Sequence, residues 1–155
     1  MLTTIFETPT LFDLRSIEIT GMSAKPSTGN PIGRFGSGLK YAIAILLREG
    51  AKIKLFCNGD TYTFFLKPTE FRDKTFWQVW YRKENAWFKT WAEKELPYTT
   101  EYGKDWEIWQ AFRELYANTI DENGACRQSD DSDPMGSSLF SPSELSQSTP
   151  ARTLI

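Results

Sequence analysis

Two short segments carry residue types and spacings that could do chemistry. Glu114 and Asn118 stand at i and i+4, so on a helix their side chains lie one turn apart on a shared face. A carboxylate so placed can orient a water for attack on phosphorus, and a neutral amide oxygen can complete the oxygen shell of a magnesium ion. The second segment is Gly33-Arg34-Phe35-Gly36-Ser37-Gly38-Leu39-Lys40, which runs into an apolar stretch. Glycines in a GxxGxG spacing let the backbone turn tightly and bring N–H groups close to an anion, and a helix start behind them adds its positive end. Two better-known phosphate loops do not fit. A Walker loop needs GxxxxGK[ST], and a dinucleotide fingerprint should follow a strand, whereas Pro31 precedes this one. Each segment also has a plainer reading: a solvated polar stripe for the first, and a glycine-rich helix lead-in with no ligand for the second.

The elements that must position these residues can be traced along the chain. Leu39 to Arg48 is almost wholly apolar after Lys40 and closes at Gly50, which predicts a buried helix with a glycine stop. Lys52 to Cys57 and Thr61 to Leu66 alternate in polarity around Asn58-Gly59-Asp60, the pattern of a hairpin. Phe76 to Arg82 and Ala86 to Trp91 predict two more strands around Lys83-Glu84-Asn85. A second helix is expected from about Asp105, as N-cap, to about Asp121. On it Ile108, Trp109, Phe112, Leu115, Tyr116 and Ile120 share a broad apolar face, and Glu107, Glu114, Asn118 and Asp121 share a polar one. The sum is an α+β two-layer sandwich, a mostly antiparallel sheet with helices packed on one face. All six tryptophans fall between Trp77 and Trp109, and an aromatic-rich sheet is read first as core.

Composition sets the outer limits. At 155 residues, with 40% apolar and 25% charged residues, the chain suits one globular domain with a real core. That domain is expected over 1–122. From Asn123 to Ile155 Ser, Asp, Gln and Pro dominate and no apolar period survives, so this tail is expected to be disordered. The absence of histidine removes Ser-His-Asp and Cys-His catalysis and histidine-ligated zinc, and two distant cysteines make no metal cluster. A net charge of -2 gives no global basic field, so nucleic-acid binding through Lys52, Lys54, Arg72, Lys74, Arg82 and Lys83 is the least favoured partner reading. No signal-peptide pattern or membrane-length apolar run is present, which predicts a soluble cytoplasmic protein.

Taken together, Glu114-x-x-x-Asn118 followed by Ile120-Asp121-Glu122 resembles the N box of the GHKL (Bergerat-fold) ATPase superfamily, and Ile32 to Ala42 resembles its second glycine box. The resemblance implies a Bergerat-like sandwich that binds ATP and Mg2+, with slow ATP hydrolysis. Glu114 would be the general base, Asn118 the magnesium ligand, and Gly33, Gly36 and Gly38 the glycines passing close to the phosphates. Ser37 and Lys40 would be side-chain contacts. The order is the reverse of the family's, as in a circular permutation. The family's Asp-x-Gly-x-Gly box, whose Asp reads adenine, has no counterpart after Glu122. Upstream, Ile17 stands where that Asp would fall, with Glu18 beside it. The permuted order also resembles small phage-encoded proteins. That implies the host cytoplasm and the alternative function, a non-catalytic interaction protein that engages a host protein through a degenerate GHKL scaffold.

Overall fold

The computed structural model describes residues 3–9, 12–19, 37–57, 59–85, 91–130 and 151–154. In chain order the elements are β1 (Thr3–Thr8), α1 (Arg15–Glu18), α2 (Gly38–Arg48), β2 (Ile53–Cys57), β3 (Asp60–Phe71), β4 (Lys74–Asn85), β5 (Trp91–Thr99), α3 (Ile108–Asp121), β6 (Ala125–Ser129) and β7 (Ala151–Leu154). The strands form one sheet in the order β5-β4-β3-β2-β7-β1-β6, and neighbouring strands pair antiparallel. The α+β class expected from the residue pattern is therefore the observed one.

Strand alternation divides the sheet into two faces. Ile53, Leu55, Tyr62, Phe64, Val79, Tyr81, Leu96 and Tyr98 point to the face that carries the helices, where they join Ile17 of α1, Ala42 to Leu47 of α2, and Ala111 and Leu115 of α3 in one apolar core. The other face bears Phe65, Trp80, Lys67, Arg82 and Glu93. There Lys67 lies 4.1 Å from the Trp80 ring centre and 2.6 Å from Glu93, so paired cations cover the aromatic rings.

Helix α2 forms where the apolar run predicts it, and it ends at Glu49 before Gly50, whose φ of +82 suits only glycine without strain. Helix α3 begins two residues later than expected. Its N-cap is Glu107 in extended conformation, and the Glu107 backbone N–H donates to the Gln110 side chain at 2.7 Å.

Three expectations give way. The strand expected over Phe76 to Arg82 is longer, running from Lys74 to Asn85, because Arg72 and Asp73 at φ 48 and 61 make a tight turn with no glycine. The strand expected over 86–91 lies outside the described residues except for Trp91, which instead opens β5. The tail expected to be disordered from 123 contributes β6, paired with β1, and β7, which lies between β1 and β2. Both strands are short, so their order comes from the backbone partners offered by the sheet rather than from their own apolar content. Residues 131–150 of that tail are outside the described set.

Candidate functional site

The two candidate segments meet at the start of α2. Gly38 is its first residue, and a methyl group there would collide with the Glu114 side chain, coming within 2.8 Å of Cγ and closer still to the carboxylate. Helices α2 and α3 pack side by side, and absence of a side chain at Gly38 lets the acid of one reach the N-terminal turn of the other. The first intrahelical bond of α2 runs from the Tyr41 N–H to the Ser37 carbonyl at 3.0 Å. The N–H groups of Gly38, Leu39 and Lys40 therefore precede the helical ladder and give this end its positive character.

Glu114 is 5% exposed, although carboxylates are seldom buried. Its Oε1 accepts a hydrogen bond from Nδ2 of Asn118 at 3.3 Å. The i, i+4 spacing thus does in the structure what the helix geometry promised. With the amide nitrogen turned to the carboxylate, Oδ1 of Asn118 is the atom a cation would take.

Of the remaining candidates, Ser37 is the residue before α2 and half-buried. Lys40 is fully buried but points elsewhere: its Nζ donates to the Ser16 carbonyl of α1 at 2.6 Å. It stands two residues, about 200° of helix, round from Gly38. Burial holds the Lys40 ammonium below the usual lysine range. Gly33 and Gly36 lie outside the described residues. The structure thus brings together Gly38, Glu114 and Asn118 and sets Lys40 apart on the far side of α2.

The upstream positions weighed for adenine recognition are occupied by other work. Ile17 is wholly buried and lines an apolar cavity of about 20 Å³ with Phe12, Leu39, Ile43 and Leu115, space for one water and no base. The Glu18 carboxylate accepts from Tyr81 Oη at 2.7 Å and pairs with Lys94 at 2.8 Å. Burial acts to raise this acid, and those two partners outweigh it, so the carboxyl sits below its ordinary value. A second hollow of about 400 Å³ lies between Glu18, Ile19 and Lys94 to Pro97, away from Glu114 and Asn118. After Glu122 a strand does follow, β6, but it reads Ala-Cys-Arg-Gln-Ser.

The six basic residues considered for nucleic acid do not share a face. Arg82 is held by Glu93 at 2.8 Å on the open side of the sheet, and Lys83, next in the strand, points to the opposite side and pairs with Asp60 at 2.8 Å. Arg72 and Lys74 sit at the far tip of the β3–β4 hairpin. Among the described residues no helix is long and apolar enough to cross a membrane, and no three His, Cys, Asp or Glu side chains gather as a metal site. No protein-family model, curated protein or solved structure matches the chain.

Proposed function

We propose that this chain binds a nucleoside triphosphate with magnesium where α2 meets α3, and hydrolyses it slowly through a GHKL-like site whose motifs run in permuted order. The observation that carries this reading is the contact of Gly38 with Glu114, because it sets the helix start that closes the glycine segment beside a carboxylate suited to water. Two segments some eighty residues apart have no need to meet if each is only a helix lead-in or a solvated stripe.

In this reading the terminal phosphates lie at the N-terminal turn of α2, where the N–H groups ahead of the helical ladder and the helix dipole favour negative charge. Glu114 accepts a hydrogen bond from the attacking water and aligns it with phosphorus. Asn118 holds the Glu114 carboxylate through Nδ2 and offers Oδ1 to magnesium. Magnesium, when bound, neutralises charge on the phosphate oxygens. The buried, hydrogen-bonded Glu114 is restricted in rotamer, which favours one orientation for the water.

The same geometry argues for weak reading of the base. Glu18, the upstream carboxylate weighed for adenine, is committed to Tyr81 and Lys94. Recognition would rest on phosphates and magnesium, so ATP and GTP should bind with affinities within a few-fold of each other. The test is calorimetric titration with magnesium-ATP, with Asn118→Ala as control. Heat from the wild type that shrinks in the variant and without magnesium is expected. Silence from the wild type at millimolar nucleotide eliminates the reading.

A further inference from the structure

We propose that the gap between β1 and β2 is a strand-acceptor slot through which two copies of this chain exchange residues 151–154, each slot then holding the β7 of the other copy. β7 comes last in chain order yet lies inside the sheet. It is antiparallel to the strands on both sides. Ala151 to Leu154 stand opposite Thr8 to Ile5 of β1, and Arg152 to Leu154 stand opposite Phe56 to Lys54 of β2. The slot therefore has a known occupant, matched in register along two edges. A second copy carries the same segment.

The connection to β7 is longer than its own slot requires. β6 and β7 are both antiparallel to β1, so they run parallel to each other with β1 between them. β6 ends with Ser129 opposite Thr3, and β7 opens with Ala151 opposite Thr8. The rise along β1 from Thr3 to Thr8 and two strand spacings across it put those ends roughly 20 Å apart. Residues 130–150 can reach about 70 Å when extended. The surplus is enough to deliver β7 to the slot of an adjoining molecule.

The slot also keeps its walls when β7 leaves. β1 retains β6 and β2 retains β3. On the helix face α2 packs on β2, on β3 and on α3. Helix α3 in turn meets β1, with the Phe112 and Phe6 ring centres 6.3 Å apart. The two parts of the sheet thus remain bridged by the helix pair, and withdrawal of a four-residue strand is a local opening. It bares two strand edges that face each other, and a bared edge templates an incoming strand.

An exchanged pair of copies has the same ladder partners as two separate ones, which is why swapping of an identical element costs little in contacts. Tethering opposes it. A segment on its own chain is present at an effective concentration on the order of mM, so exchanged copies are a minor share at micromolar protein and increase with concentration. Nothing in the exchange depends on nucleotide binding.

The experiment traps exchange with cysteines at the opposed pair Thr8 and Ala151. Opposed residues of antiparallel strands have Cα atoms about 4.5–5.5 Å apart, within reach of a disulfide. All chains carry Cys126→Ser, since Cys126 is exposed and Cys57 is buried. A Thr8→Cys chain and an isotope-labelled Ala151→Cys chain are mixed at about 200 µM in glutathione buffer, below the tethered concentration but near enough for capture. A mixed disulfide of twice the 17.8 kDa chain mass is expected, and its share should rise with protein concentration. It should exceed several-fold the yield when Thr69→Cys, at an exposed position of β3, replaces Thr8→Cys. One chain carrying both Thr8→Cys and Ala151→Cys should close an internal disulfide, which checks the register in the folded molecule. A mixed-disulfide yield no higher than that of the Thr69→Cys control overturns the proposal. Failure of the double-cysteine chain to close does so too, because the slot would not hold β7 in this register.

Discussion

At the scale of single residues, the contact between Gly38 and Glu114 separates a packing role from a chemical one. Glycine in a helix is normally a cost relative to alanine, but here a Cβ would press on the Glu114 side chain. Gly38→Ala should therefore destabilise the fold by about 1–3 kcal/mol, the range for an overfilled core, read as a lower urea midpoint. Adding Glu114→Ala should relieve much of that loss, because the clashing atoms are gone. A double variant as unstable as the sum of the two singles would show that the residues do not touch. Glu114→Gln keeps shape and the Asn118 contact while losing the charge. Nucleotide affinity should then change by no more than a few-fold, and turnover should fall roughly 10²- to 10⁴-fold, the contribution of a general base. Equal turnover in wild type and Glu114→Gln removes Glu114 from the chemistry. The carboxylate-amide pair was legible in the sequence because helical spacing alone fixes it. The separate direction of Lys40 was not, since it depends on Ser16 of α1 lying across α2.

At the scale of elements, what the sequence exposes depends on whether an element carries its own signal. Helix α2 does, through its apolar run and Gly50, and the β2–β3 hairpin does through Gly59 at φ 78. The β3–β4 turn hides its signal because Arg72 and Asp73 take positive φ without glycine. In α3 the apolar wheel misleads about direction. Glu114 goes inward because Gly38 leaves room and Asn118 bonds it, and the helix then turns Trp109, Tyr116 and Ile120 outward. The tryptophans mislead in the same way: Trp77, Trp91 and Trp109 are half or more exposed, while Tyr62, Phe64, Tyr81 and Tyr98 fill the core. Strands β6 and β7 carry almost no signal, being five and four residues long in a polar stretch. Yet β7 has a large structural duty, because it is the strand that joins β1 to β2. Deleting residues 151–155 should leave the backbone groups on the facing edges of both strands without partners, while β1 keeps β6 and β2 keeps β3. The urea transition should move to a markedly lower midpoint and lose cooperativity. An unchanged midpoint would mean that the sheet holds without this strand.

At the scale of the whole molecule, buried ionisable groups set how stability varies with pH, and most act in one direction. Burial first, and then the nearby Asp60, raises the Cys57 thiol from 9.0 to about 11. Burial also raises the Tyr62, Tyr81, Tyr98 and Tyr102 hydroxyls, and at Tyr81 the hydrogen bond to Glu18 adds to it. A group whose pKa is higher folded than unfolded contributes stability in full below its unfolded value, and that stability is lost as pH rises through the folded value. Lys40 works the other way, since burial lowers its pKa and the unfolded chain binds the proton more tightly. Its effect raises stability with pH between its lowered value and 10.5. With Cys57 and four tyrosines against one lysine, the fall should win. The thermal midpoint should decline as pH rises from about 9 to 11, with Cys57 titrating first. Cys57→Ala should flatten the early part of that decline. Lys40→Met should steepen it by removing the opposing group, and it should also raise stability near neutral pH if the buried ammonium costs more in desolvation than its bond to the Ser16 carbonyl returns. A midpoint that climbs between pH 9 and 11 would show that Lys40 outweighs the buried thiol and hydroxyls together, and that the core tolerates their ionisation.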